Sequence, residues 1–226
     1  MCGRYARYTP AEIYARLFDT ESCPDMEARY NVAPSQQVLA ARNAAGGGRE
    51  LVMLRWGLIP FWARERNLGY STINARAETV ATRPAYRSAL RLRRCLIAAD
   101  GFYEWRTLGK GKQPYFIRMK GGEPFAFAGL WERWEGEGDV IESCAIIVTA
   151  ANDVVAPIHD RMPVILVPGD YDRWLDPGQK DPAQLQPLLG PYPARAMEAY
   201  PVSRQVNNPR QDRPELMAPA ADVAGV

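Results

Sequence analysis

The sequence predicts an α+β fold: one compact domain with a largely antiparallel, barrel-like β core and a few flanking helices. Its apolar runs are short, rich in β-branched and aromatic residues and separated by turn residues, as in RCLIAA and SCAIIVTA. Helical segments are few and do not alternate regularly with the strands, which argues against a βαβ nucleotide-binding fold. We expect one domain over residues 1–219 and a frayed tail over residues 220–226.

Two segments predict the main helices. Residues 10–18 begin with Pro10 after Thr9, which is the expected N-cap, and Glu12 would complete a capping box. Residues 83–94 predict a second helix. The glycines of LGKGKQ predict a hairpin turn between two strands, and AAGGGRE predicts a flexible turn.

Composition narrows the class of protein without revealing a function. The chain has 47% hydrophobic and 24% charged residues, which is typical of a soluble globular protein. It has no apolar run of about 18 residues and no apolar core near its start, so we expect a cytoplasmic protein without a membrane span, associated with the nucleoid when bound to DNA. The net charge is only +2, but arginines number 24 and lysines four. Arginine suits phosphate binding, although a GC-rich genome would explain the same bias.

The cysteines argue against a metal site. Cys2, Cys23, Cys95 and Cys144 are widely spaced, no CxxC pair is present, and the chain has one histidine. Cys95 and Cys144 lie inside strand-like apolar runs, so we expect both to be buried, reduced thiols. We expect no metal and no organic cofactor.

Cys2 is the first candidate for chemistry. Removal of Met1 would leave Cys2 with a free α-amine next to its thiol, a pair of groups that no internal cysteine has. An α-amine has a pKa of about 7.7–8.0, so roughly a tenth of it is unprotonated at neutral pH and can attack an aldehyde. The thiol can then close a five-membered thiazolidine ring. Cys2 could equally be a spectator, or the thiolate nucleophile of an N-terminal-nucleophile amidotransferase, which also begins MCG.

Three segments offer polar partners. In STINARAETV, the side chains of Asn74, Arg76 and Glu78 would share one face of a strand and could bind an amine or a phosphate. In DGFYEWR, Glu104 lies between aromatic residues, where desolvation would raise its pKa and suit it to proton transfer. His159, the only histidine, must carry any imidazole chemistry. Each of these residues could also be purely structural.

An aromatic loop offers a surface for unpaired bases. Phe61 and Trp62 stand beside Arg64 and Arg66 in IPFWARERNLGY. Aromatic faces together with arginine can stack single-stranded bases, although aromatic side chains more commonly fill a core.

Taken together, these segments resemble the SRAP family (SOS response-associated peptidase), the abasic-site sensors of single-stranded DNA. The matching segments span residues 1–208: MCGRY at the start, RYNVAP at 29–34, RWGLIPFW at 55–62, INARAET at 73–79, DGFYEW at 100–105, HDRMP from His159, and YPVSRQVNN at 200–208.

The resemblance implies a role for each matching residue. Cys2 would form the thiazolidine, Glu104 would transfer protons and His159 would assist ring opening and reversal. Asn74 would hold the reacting terminus. The arginines implied to bind DNA are Arg4, Arg76 and Arg161.

The resemblance also implies a partner, single-stranded DNA containing abasic sites, and a peptidase activity linked to removal of Met1. We expect a monomer. The alternatives that remain are an amidohydrolase or glutamine amidotransferase, a peptidase acting in trans, and a non-covalent single-stranded DNA-binding module.

Overall fold

The computed structural model describes residues 2–109, 111–136 and 138–220. The strands in these ranges are β1 Tyr5–Arg7, β2 Arg29–Val32, β3 Gln37–Asn43, β4 Arg49–Trp56, β5 Asn74–Arg76, β6 Arg94–Ala99, β7 Gly101–Leu108, β8 Gly111–Met119, β9 Phe125–Gly136, β10 Asp139–Ala150, β11 Arg161–Pro163, β12 Ile165–Leu166 and β13 Met197–Pro201. The α-helices are α1 Ala11–Phe18, α2 Arg87–Leu92, α3 Tyr171–Leu175 and α4 Pro182–Leu185.

Five strands close into a barrel. Strand β4 pairs with β3, β3 with β6, β6 with β9 and β9 with β10, all antiparallel. A short parallel pairing of β10 with β4, Ser143 with Arg55 and Cys144 with Trp56, completes the ring. The single α+β domain with a mainly antiparallel, barrel-like core is therefore confirmed.

Alternate residues of the barrel strands face two apolar cores, as the two-residue period of a strand requires. One core includes Leu39 and Ile147 and is shared with the helices. The other includes Trp56 and Phe127 and is shared with the second sheet. Cys95 and Cys144 are fully buried and reduced, as the sequence predicts.

The second sheet holds the N-terminal segment. Its strand order is β13-β8-β7-β1-β2, so β1 lies between two neighbours. Tyr5 pairs with Phe102 of β7 on one side and with Val32 of β2 on the other. The predicted hairpin joins β7 to β8 with Gly109 at a φ of 54°, and Lys110 of that turn lies outside the described residues.

The predicted capping of the first helix is wrong. Pro10 occupies the N-cap position of α1 and makes no side-chain capping bond. Thr9 instead donates from its hydroxyl to Oδ1 of Asp100 at 2.5 Å. Asp100 is fully buried and also accepts a hydrogen bond of 2.7 Å from the Tyr14 hydroxyl. A buried carboxylate without donors is very costly, so Asp100 takes the hydroxyl that would have capped the helix.

The second predicted helix is shorter than expected. Helix α2 covers only Arg87–Leu92, because turns precede it and the chain enters β6 at Arg94. At the other end of the chain, Ala220 N donates to Pro201 O at 2.9 Å. The rest of the predicted tail, residues 221–226, lies outside the described residues. None of the described helices is long and apolar enough to cross a membrane.

Candidate functional site

Cys2 lies just before β1 and is completely buried. Burial raises the pKa of its thiol far above the usual value, and the negative charge of Glu104 acts in the same direction. The thiol is therefore held in its neutral form. Met1, whose removal would expose the α-amine of Cys2, lies outside the described residues.

Asn74 fixes the main chain at Cys2. Its side-chain nitrogen Nδ2 donates to the Cys2 carbonyl oxygen at 2.7 Å. Strand β5 runs parallel to β10, and the Asn74 carbonyl oxygen accepts from the Tyr86 hydroxyl at 2.9 Å, which holds the residue in place. The side-chain oxygen Oδ1 is buried and has no hydrogen-bond partner within the described residues. It is an acceptor suited to the N–H of an amine.

Glu104 lies on β7 opposite Tyr115 and is 2% exposed. Burial raises the pKa of this carboxyl group, as its aromatic neighbours in the sequence predict. The charge of His159 acts in the opposite direction. A carboxyl group with a raised pKa keeps its proton over a wider range of pH and can serve as a proton donor.

His159 lies in the loop between β10 and β11. Its main-chain nitrogen donates to Val155 O at 2.9 Å, and its ring nitrogen Nδ1 accepts from Arg161 N at 3.0 Å. The Asp160 carboxylate is 3.0 Å from the same nitrogen. Because Nδ1 accepts this main-chain hydrogen bond, Nε2 is the ring nitrogen that can donate to a ligand.

The three predicted DNA-binding arginines differ in their surroundings. Arg76 is exposed at the end of β5. Arg161 forms an ion pair with Glu78, which lies in the turn after β5 and not on the strand face expected from the sequence. Arg4 is half-buried, and its Nη1 donates to Asn31 Oδ1 and to Val206 O, both at 2.8 Å. Arg4 thus ties the N-terminal segment to the C-terminal part of the chain.

The aromatic loop is exposed beside Asn74. Phe61 and Trp62 are 55% and 49% exposed. Trp62 borders a cleft of about 510 Å³ whose wall includes Asn74, Arg76, Arg83 and Tyr86. We name this the Asn74 cleft. It joins an aromatic face, two arginines and one residue that contacts Cys2.

Comparison with known proteins identifies the family. Residues 1–209 match the family described as SOS response associated peptidase (SRAP). The chain belongs to the SRAP family. Two similar relatives are the abasic site processing proteins YoqW and YoaM of Bacillus subtilis (strain 168). Each is 46% identical over 222 residues, which cover 96% of this chain and 99% and 97% of the respective relatives.

A solved structure supports the fold. The crystal structure of a protein from Bacteroides thetaiotaomicron has a TM-score of 0.86 at 27% identity and covers 97% of this chain and all of its own.

This SRAP chain also contains supporting residues that the sequence analysis did not select. Asn31 is fully buried and donates to the main-chain oxygens of Asn208 at 3.1 Å and Gln211 at 2.7 Å. Asn152 accepts at Oδ1 from Val154 N and Val155 N, both at 3.1 Å, and so shapes the turn that carries His159. For Asn31, the available signal was a polar residue within the strand-like segment RYNV. Within the described ranges, no cluster of three histidine, cysteine or acidic residues could hold a metal.

Proposed function

We propose that this SRAP protein recognises abasic sites in single-stranded DNA and bonds covalently to the ring-opened sugar through Cys2, once Met1 has been removed. Its relatives YoqW and YoaM are named abasic site processing proteins. The observation that carries the proposal is the hydrogen bond from Asn74 to Cys2 O, and the negative charge of the buried Glu104 helps to raise the pKa of the Cys2 thiol.

The amine attacks first in this scheme. An α-amine is partly unprotonated at neutral pH, whereas burial keeps the Cys2 thiol protonated. Addition of the amine to the sugar aldehyde gives a carbinolamine, and loss of water gives a Schiff base. The thiol sulfur then adds to the Schiff-base carbon, and the thiol proton moves to the nitrogen. The product is a thiazolidine, and one water is the only molecule released.

The neighbouring residues have separate tasks. Asn74 Oδ1 accepts a hydrogen bond from the attacking amine. Glu104, whose pKa burial raises, protonates the departing hydroxyl group. His159 moves protons during opening of the sugar ring and reversal of the crosslink. The bond changes written here need no metal and no organic cofactor.

The DNA lies in the Asn74 cleft. Arg76 and Arg161 bind phosphates on either side of the lesion, and Phe61 and Trp62 stack on neighbouring bases. Arg4 contacts the DNA through guanidinium hydrogens that Asn31 and Val206 leave unused. The protein acts as a monomer, and its peptidase activity is the removal of its own Met1.

Intact-mass spectrometry tests the proposal. We expect purified protein to lack the mass of Met1, and to gain the mass of an abasic oligonucleotide minus one water. An undamaged oligonucleotide of the same sequence is the control and should give no adduct. Release of ammonia from glutamine, with no DNA adduct, would instead identify an amidotransferase.

Variants separate the amine from the thiol. Cys2→Ala keeps the amine and should leave only a reversible Schiff base or strand cleavage. A heat-stable adduct formed by Cys2→Ser would overturn the thiazolidine. Glu104→Gln should slow crosslinking by about 10²–10⁴-fold, the usual contribution of general acid–base catalysis.

A further inference from the structure

A second cleft lies along helix α2. This helix begins directly after Tyr86, whose hydroxyl donates a hydrogen bond to the Asn74 carbonyl oxygen on β5. Its volume is about 720 Å³. Its wall consists of residues 81–82, of Arg87, Ser88, Arg91 and Leu92 on α2, and of Lys180. We name this the α2 cleft.

The positive charge of the α2 cleft is not neutralised. Arg87, Arg91 and Lys180 are exposed, and none forms an ion pair with a carboxylate in the part of the chain that the structure describes. No acidic residue belongs to the wall of the cleft. By contrast, Arg93, two residues farther along, is paired with Glu132. Like charges one helical turn apart destabilise a helix, so this arrangement favours a bound anion.

Neutral donors and an apolar wall complete the cleft. Ser88 Oγ accepts from Arg93 Nη2 at 3.1 Å, which leaves the serine hydroxyl hydrogen free to donate to a ligand. Leu92 is 56% exposed and offers an apolar contact. Arginine, lysine and serine side chains are among the usual donors to DNA phosphates, and an apolar wall suits the face of a deoxyribose.

A row of arginines connects the two clefts. Arg83 borders the Asn74 cleft, and its carbonyl oxygen accepts from Arg87 N at 2.9 Å. Arg87 and Arg91 lie one helical turn apart on α2, about 6 Å of helix rise, and Arg83 lies in the turns that precede this helix. A polyanion that leaves the Asn74 cleft past Arg83 therefore meets Arg87 and then Arg91.

We propose that the α2 cleft binds the sugar–phosphate backbone of DNA on one side of the abasic site, through Arg87, Arg91 and Lys180. The inference rests on the proposed function for the identity of its partner. The cleft adds affinity and determines which side of the lesion needs a flanking strand. It takes no part in bond formation.

Binding by two mirrored oligonucleotides tests the inference. Both are fluorescent single strands containing an unreactive tetrahydrofuran analogue of the abasic sugar, near the 5′ end in one and near the 3′ end in the other. The variant R87Q/R91Q should lose affinity severalfold for only one of the two in fluorescence anisotropy. For that oligonucleotide, the slope of log affinity against log salt should decrease by about 0.7 for each phosphate that the variant no longer binds.

A charge-matched control uses Arg16 on α1 and Arg133 on β9, two exposed arginines outside both clefts. R16Q/R133Q should bind both oligonucleotides like the wild type. Equal affinities and salt slopes for R87Q/R91Q and this control would overturn the inference.

Crosslinking separates the two proposals. With a true abasic oligonucleotide at saturation, R87Q/R91Q should form adduct at the wild-type rate. A wild-type protein that forms no adduct would contradict the proposed function. A wild type that crosslinks, together with unchanged binding by R87Q/R91Q, would contradict the α2 cleft alone.

Discussion

The side-chain amide of Asn74 donates a hydrogen bond of 2.7 Å to the main-chain oxygen of Cys2. These residues are far apart in the sequence, and Asn74 is carried by β5, which pairs with β10 of the barrel. The bond holds the chain where a reactive terminus must be positioned, without using the amine or the thiol.

Removal of that hydrogen bond should slow crosslinking. For Asn74→Ala we expect adduct formation to slow by up to about tenfold, because one hydrogen bond contributes about 0.5–1.5 kcal/mol. Single-turnover gel kinetics measure the rate. Asn43→Ala is the matched control. Asn43, the last residue of β3, donates a similar side-chain hydrogen bond of 2.6 Å to Leu175 O. Equal rates for the two variants would exclude a positioning role for Asn74.

Glu104 should make stability depend on pH. Burial raises the pKa of this carboxyl group in the folded protein above the unfolded value of about 4.3. Its stabilising contribution is therefore complete below that value and is lost as the pH rises through the folded pKa. Glu104→Gln should then be more stable than wild type at neutral pH, with the difference shrinking towards pH 4.

Denaturant unfolding over a pH series measures this effect. Glu198→Gln, which alters a half-exposed glutamate paired with Arg118 at 2.8 Å, is the control. A stability difference for Glu104→Gln that is constant with pH would contradict the expectation.

The ion pair of Arg161 with Glu78 should weaken DNA binding. A phosphate must compete with Glu78 for the guanidinium group, so Glu78→Gln should bind single-stranded DNA severalfold more tightly at low salt. The gain should diminish at high salt, where exposed charges are screened. Anisotropy titrations at two salt concentrations measure it, again with Glu198→Gln as control. Weaker binding would show that Glu78 positions Arg161 for the phosphate.

Asn152 should control the turn that carries His159. Asn152→Ala removes the acceptor of Val154 N and Val155 N, and we expect it to lower the free energy of unfolding by about 1–3 kcal/mol. It should also alter the pH profile of crosslink reversal. Asn208→Ala is the control, because Asn208 Oδ1 makes a similar bond to Arg210 N at 3.0 Å. A wild-type pH profile of crosslink reversal for Asn152→Ala would show that Asn152 does not affect the reaction through His159.

The exposed aromatic loop should contribute affinity and not stability. Trp62→Ala should weaken binding of single-stranded DNA by about 1–3 kcal/mol, the usual contribution of stacking on one base. Phe61→Ala should have a smaller effect, because Phe61 does not border the Asn74 cleft. Melting temperatures should match those of Val140→Ala, a control at a residue that is 58% exposed. Unchanged affinity in both aromatic variants would exclude stacking.

Local patterns predicted the strands and the raised pKa of Glu104, because both depend on adjacent residues. Residues 95–99 of β6 and 144–148 of β10 are continuous apolar runs, and Glu104 stands between aromatic neighbours in the sequence.

Features that depend on distant pairs were not predictable in this way. The Thr9 hydroxyl donates a hydrogen bond to the buried carboxylate of Asp100, 91 residues away, and therefore does not cap the helix as the local pattern predicts. Closure of the barrel rests on two parallel pairs between β4 and β10. A positional pattern within one segment contains no information about such partners.

The interior position of β1 in the second sheet has a mechanical consequence. Hydrogen bonds to β7 and β2 hold this strand along both edges, and Cys2 lies three residues before it begins. A DNA strand joined to Cys2 would therefore pull on a strand that is paired with a neighbour on each side. An enzyme that translocates along the DNA would have to break the hydrogen bonds of β1 to β7 and β2 before it could unfold and pass the attached protein.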